Sequence, residues 1–172
     1  MFVSVALRPT ERGNAMRQFE SRPASSFLFR EVSYGKADGI ARVTIDRADR
    51  HNAYSTACLE ELATALRDAS FDDAVGVIVL TGAGDRAFCS GGDVKEYADA
   101  YIGTPRDYWK YMALFRAYID AILGAGKPVV ARVNGIAAGK AAERDFTFDA
   151  VGGQDVSDLT QKVLVSLNRQ QE

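Results

Sequence analysis

The sequence predicts an α/β protein, and three observations carry that reading. An alternating segment rich in β-branched and aromatic residues, "FLFREVSYGKADGIARVTIDR", occupies residues 27–47. Two segments with a helical apolar period follow, one from Ser55 and one from Thr104. Two short continuous apolar runs, 75–80 and 129–133, each lead into glycines, as buried strands of a parallel sheet do. The expected order is ββ-α-β-α-α-β.

Each element has its own signal. Lys36-Ala37-Asp38-Gly39 supplies the turn that folds the first segment into a hairpin. Leu59, Leu62, Ala63 and Leu66 share one helical face, with Ser55 or Thr56 as the N-cap. Asp72-Asp73 closes that helix, and 75–80 is the buried strand after it. Asp93-Val-Lys-Glu96 opens a short helix in the manner of a capping box, with Glu96 returning the bond to Asp93. Thr104-Pro105 opens the next, with threonine at the cap and proline at the first position. Tyr108, Tyr111, Met112, Phe115, Ile119 and Ile122 form its apolar stripe, read as core and subunit contact. Gly124, Gly126 and Pro128 stop it, and "PVVARV" is the last strand. The expected organisation is an irregular N-terminal extension over 1–26, with Met16 as an alternative start, an ordered core over 27–139 and an atypical tail over 140–172.

Composition narrows the function classes. With 172 residues, 47% hydrophobic and 26% charged, the chain reads as one globular domain with a short extension. A net charge of −2 leaves no electrostatic footprint for nucleic acid. No apolar run approaches the roughly 18 residues of a membrane span. Cys58 and Cys89, in unlike contexts, are not a disulfide framework, so a reducing, cytoplasmic setting is expected. One histidine, His51, with two scattered cysteines makes no zinc pattern, and no metal is expected.

Two glycine clusters compete for attention. Gly82-Ala-Gly84-Asp-Arg-Ala87 fits G-x-G-x-x-[G/A], the fingerprint of a dinucleotide-binding turn. That turn needs its helix to begin at the glycines. Here a second pair, Gly91-Gly92, would fall in the first turns of such a helix, at about 1 kcal/mol each. The helix signal comes only at Asp93, so the fingerprint is read as a false positive. Gly91 and Gly92 then precede a helix N-terminus and let a ligand approach the main chain. Two readings of these local residues stand: a plain glycine turn into a capped helix, or backbone donors for a developing oxyanion. "KPVVARVNGIAAG", a strand followed by Asn134-Gly135 and small residues to Gly139, repeats the layout and would supply a second donor. Cys89 reads as a small core residue rather than a nucleophile.

Three stretches together, "ARVTIDRADRHNAYS", "VGVIVLTGAGDRAFCSGGDVKE" and "KPVVARVNGIAAG", resemble the crotonases, the enoyl-CoA hydratase/isomerase superfamily, in both order and spacing. Residues 95–135 are closer still to the ring-opening acyl-CoA hydrolases of anaerobic aromatic degradation. The resemblance implies a spiral of ββα units, here incomplete, and an acyl-CoA substrate with no cofactor beyond the CoA thioester itself. It implies that the Gly92 N–H is the first oxyanion donor and that His51-Asn52-Ala53 lies along the CoA moiety. Lys140 falls at the second donor and Glu143 at one of the two hydratase carboxylates.

The chain then departs from the pattern. Lys140-Ala-Ala-Glu143 replaces the usual glycines, and residues 144–172 match neither the second carboxylate nor the C-terminal helices that build the family's homo-oligomer. A frameshift, an internal deletion, an isoform or a truncation would each produce such a tail. Surface normally covered by those helices is expected to be exposed and apolar. Two functions follow. One is an acyl-CoA hydratase or ring-opening hydrolase, with Glu143 as base and little turnover by this chain alone. The other is an inactive remnant that binds CoA weakly or associates with a paralogue. A nicotinamide oxidoreductase is third.

Overall fold

The computed structural model describes residues 21–138. β1 (Val32–Ala37) and β2 (Ile40–Ile45) form the expected hairpin. Asp38 and Gly39 both take positive φ, 51° and 77°, the two-residue turn whose twist matches that of the flanking strands. α1 (Thr56–Phe71) begins at Ser55, whose hydroxyl accepts the Cys58 N–H at 3.0 Å, and ends at Asp72. β3 (Val77–Gly82) is parallel to β2, and β5 (Val129–Arg132) is parallel to β3, as the apolar runs predicted. The sheet order is β1-β2-β3-β5. β3 lies two residues later than the run suggested, so Gly82 is its last residue and not part of the turn.

Two elements were absent from the sequence-based order. β4 (Ala87–Cys89) and β6 (Ile136–Ala137) follow β3 and β5 after tight turns and pair with each other in a second, parallel two-stranded sheet. Strands thus come in pairs, with the later pairs divided between two sheets. α2 (Val94–Ala100) and α3 (Pro105–Leu123) follow β4. No helix begins at Gly82 or Gly84, which removes the dinucleotide turn.

The core lies between the main sheet and α1 with α3. Ala41, Val43 and Ile45 of β2 and Ile78 and Leu80 of β3 pack with Leu59, Leu62 and Leu66 of α1. The α3 stripe is only partly as expected. Tyr111, Tyr118 and Ile122 are buried, whereas Tyr108 and Met112 are exposed, at 40% and 38%. With Val94, Tyr97, Ile102 and Trp109 they make the surface of α2 and early α3 apolar. Thr104 caps through no side-chain bond; its hydroxyl donates back to the Ala100 carbonyl. Residues 22–36 are tied to α1: Lys36 pairs with Asp68 and Asp72 at 2.8 and 2.7 Å, and the Arg22 N–H reaches Asp68. Among the described residues no helix is long and apolar enough to cross a membrane.

Candidate active site

β3 and β5 are neighbours, so their exit turns meet. Asn134 locks them together: its Oδ1 accepts the Gly82 N–H at 3.1 Å, and its Nδ2 donates to the Gly82 and Gly84 carbonyls at 2.9 and 2.6 Å. Gly135 allows the approach, because a Cβ there would lie 2.4 Å from the Arg86 carbonyl oxygen. Beyond the turns β4 and β6 run side by side, and the Ala138 N–H donates to the Cys89 carbonyl at 2.9 Å. The Gly91-Gly92 turn therefore lies beside the end of β6, past the Asn134-Gly135 turn. Gly139, Lys140 and Glu143 fall outside the described residues.

A loop runs along the other side of that turn. Ala48–Arg50 forms a 3₁₀ turn, and His51 and Asn52 follow with φ of 51° and 56°. Asparagine tolerates this left-handed region better than most residues. The wholly buried Asn52 side chain accepts the Arg47 N–H at 3.1 Å and donates to the Ala83 and Ala87 carbonyls at 3.0 and 2.7 Å. Ser90 N–H donates to the His51 carbonyl, Tyr54 N–H to the Gly91 carbonyl, and Asp93 N–H to the Tyr54 carbonyl. Of the three loop residues singled out by sequence, His51 is exposed while Asn52 and Ala53 are buried.

Arg47 fixes the loop to α2. Its guanidinium donates to the Ala53 carbonyl, pairs with Asp93 at 2.8 Å and approaches Glu31 at 3.3 Å. Burial alone would raise the Asp93 carboxyl. The Arg47 guanidinium and the Glu96 and Lys95 N–H groups outweigh it and hold the pKa below the usual carboxylate value. Asp93 is the N-cap, as expected, but the capping box is not closed. Glu96 turns away and accepts the Thr56 N–H at 3.0 Å, serving the first turn of α1 instead.

These bonds decide which donors are open. The Gly91 N–H is taken by Cys89 Sγ at 3.3 Å, and the Lys95 and Glu96 N–H groups by Asp93. The Tyr54–Gly92 bridge uses the atoms flanking Gly92, so the Gly92 N–H faces away from Tyr54. It has no acceptor among the described residues. Of the two glycines in the turn, only Gly92 keeps a free donor. The Cys89 thiol is fully buried and burial pushes its pKa up, consistent with a core residue rather than a nucleophile. The Tyr111 hydroxyl faces Gly92; a Cβ on Gly92 would lie 2.9 Å from it. Sequence reasoning assigned Tyr111 to the apolar stripe and gave Arg47 and Asn134 no site role. Asn134 beside Gly135 at a strand end was the one available signal for a locked turn.

Strand pairs divided between two sheets, with the exit turns of β3 and β5 stapled together, define an α/β class of repeated ββα layout. The profile of the enoyl-CoA hydratase/isomerase family matches residues 35–161. The chain belongs to this family, the crotonases. It is 38% identical over 150 residues to a 6-oxocyclohex-1-ene-1-carbonyl-CoA hydrolase of Geobacter metallireducens, covering 86% of this chain and 38% of that protein. It is 39% identical over 143 residues to the protein of that name from Thauera aromatica, covering 83% and 37%. The chain thus spans well under half the length of these relatives. Among solved structures, an enoyl-CoA hydratase from Bacillus anthracis superposes with a TM-score of 0.58 at 30% identity, over 63% of this chain and 41% of the other. An enoyl-CoA hydratase/isomerase from Legionella pneumophila gives 0.65 at 27% identity, over 73% and 48%.

Proposed function

We propose that this chain binds an acyl-CoA thioester and polarises its carbonyl for attack by water. The carrying observation is the Gly92 N–H, which is flanked by the Tyr54–Gly91 and Asp93–Tyr54 backbone bonds, has no acceptor among the described residues and lies just past the end of β4, where Ala138 bonds Cys89. When water adds to an enoyl thioester, negative charge develops on the thioester oxygen. A fixed N–H at that oxygen stabilises the transition state more than the ground state. The Lys140 N–H is the second donor and the Glu143 carboxylate the general base. The His51-Asn52-Ala53 loop lies along the CoA moiety. Because Asn52 and Ala53 are buried, that contact is made by His51 and the loop backbone.

The substrate class is an enoyl-CoA or a cyclic oxo-acyl-CoA. Similarity to proteins named for hydrolysis of 6-oxocyclohex-1-ene-1-carbonyl-CoA supports the second. Calorimetry of the full chain against CoA and NAD tests the reading: weak CoA binding and no NAD binding are expected, and NAD binding without CoA would overturn it. Any turnover of crotonyl-CoA or 6-oxocyclohex-1-ene-1-carbonyl-CoA should fall about 10²- to 10⁴-fold in Glu143→Gln. Turnover unchanged in that variant would remove Glu143 from the mechanism.

A further inference from the structure

Most tyrosine hydroxyls in the interior have a bond that explains them. Tyr34 donates to Asp68, Tyr54 and Tyr118 pair at 3.3 Å, and Tyr101 meets the Thr56 hydroxyl. Tyr111 differs. It is only 9% exposed, yet its hydroxyl has no partner among the described residues. Nor is that oxygen sealed in the core, since Ser70 Oγ is the only fully enclosed side-chain atom among them that lacks a partner. The Tyr111 ring is held in place by stacking on Tyr101, with centroids 5.1 Å apart and planes 25° from parallel. Its hydroxyl is directed at Gly92, at the position that a side chain there would fill.

We propose that the Tyr111 hydroxyl is a side-chain hydrogen-bond donor to the same substrate oxygen that the Gly92 N–H binds. The proposal rests on the acyl-CoA reading of the Gly92 turn and adds to it a donor from α3. The geometry fits the role: a positioned phenol beside an open backbone N–H brings two donors to one small region without either occupying the other. Burial first, and then the Glu96 carboxylate and its neighbours, raise the phenol pKa, so the group stays protonated. The absence of a side chain at Gly92 also acquires a reason, because a Cβ would displace the hydroxyl from the oxygen it serves.

The test uses the full chain and crotonyl-CoA labelled with ¹³C at the thioester carbonyl. On binding to the wild type, the carbonyl resonance should move downfield as its oxygen is polarised. Tyr111→Phe should bind the probe but lose part of that shift, while Tyr108→Phe keeps all of it. Equal shifts in the wild type and Tyr111→Phe would overturn the role of Tyr111 and leave that of Gly92 intact. A bound probe with no shift in the wild type, or no binding, would overturn the Gly92 reading and this one with it. Wild-type protein carrying [ζ-¹³C]tyrosine gives an independent readout. The Tyr111 signal, assigned by its absence in the phenylalanine variant, should move when probe is added, and a stationary signal would contradict the proposal.

Discussion

The glycine clusters at 82–84 and 91–92 look alike in sequence and do opposite things. In the first, glycine serves packing. Gly82 ends β3 where the Phe88 and Ala87 carbonyl oxygens and the Asn52 amide converge, each within 2.6 Å of where a Cβ would lie. Its N–H and carbonyl are both bound by Asn134. In the second, the bonds run around Gly92 and leave its N–H open, and a Cβ there would meet one side-chain atom, the Tyr111 hydroxyl, and no backbone. The fate of the N–H, not the count of glycines, separates a structural turn from a candidate site.

That contrast can be broken by substitution, and Gly82→Ala is the severest case. Two of the three obstructing atoms are backbone oxygens, which cannot rotate away, so urea unfolding should show a loss of about 3 kcal/mol or more. A stability within about 0.5 kcal/mol of wild type would mean that the turn has slack and that the contrast is false. Asn52→Ala comes next. It removes three bonds from a buried site and leaves the Arg47 N–H and the Ala83 carbonyl to be satisfied elsewhere, so a loss of about 2 kcal/mol is expected. It should also speed hydrogen exchange at Tyr54, whose N–H bonds Gly91.

Much of the framework was legible because it is local. Asp38-Gly39, the Ser55 cap and the Asp93 cap each declare themselves within four residues. β4 and β6 were not legible: at three and two residues they carry no periodicity, and they exist only because each pairs with the other some fifty residues away. Glu96 shows the same limit. Its spacing from Asp93 suits a capping box, but the Thr56 N–H, forty residues earlier, takes it instead. Within the candidate site, Gly92 was singled out by the family resemblance, since its local residues suit a plain turn equally well. The closure of the Gly91 N–H by Cys89 is local but depends on where the thiol points, and the meeting of Tyr111 with Gly92 arises only when α3 packs against the turn.

Acid should loosen the loop side of the site more gently than either substitution. The folded Asp93 pKa is lowered from 3.8, so its ion pair with Arg47 contributes fully above that value and is lost as pH falls through the folded pKa. Asp93→Asn should flatten the decline in melting temperature between about pH 5 and pH 2. An unchanged decline would show that other carboxylates dominate, with Asp72, held at about 2 chiefly by its bond from Lys36, the first to examine. Gly92→Ala is the mildest change. Its Cβ meets one side-chain oxygen and no backbone atom, so the loss of stability should be well below that of Gly82→Ala, about 1 kcal/mol. A loss as large as that of Gly82→Ala would erase the distinction between the two turns.

The most direct measurement follows the two turns in one titration. In ¹⁵N-labelled full chain, crotonyl-CoA should shift the Gly92 amide proton downfield and slow its exchange, while the Gly82 amide, already bound to Asn134, stays in place. A stationary Gly92 amide with a responding Gly82 turn would contradict the assignment of Gly92 as the oxyanion donor.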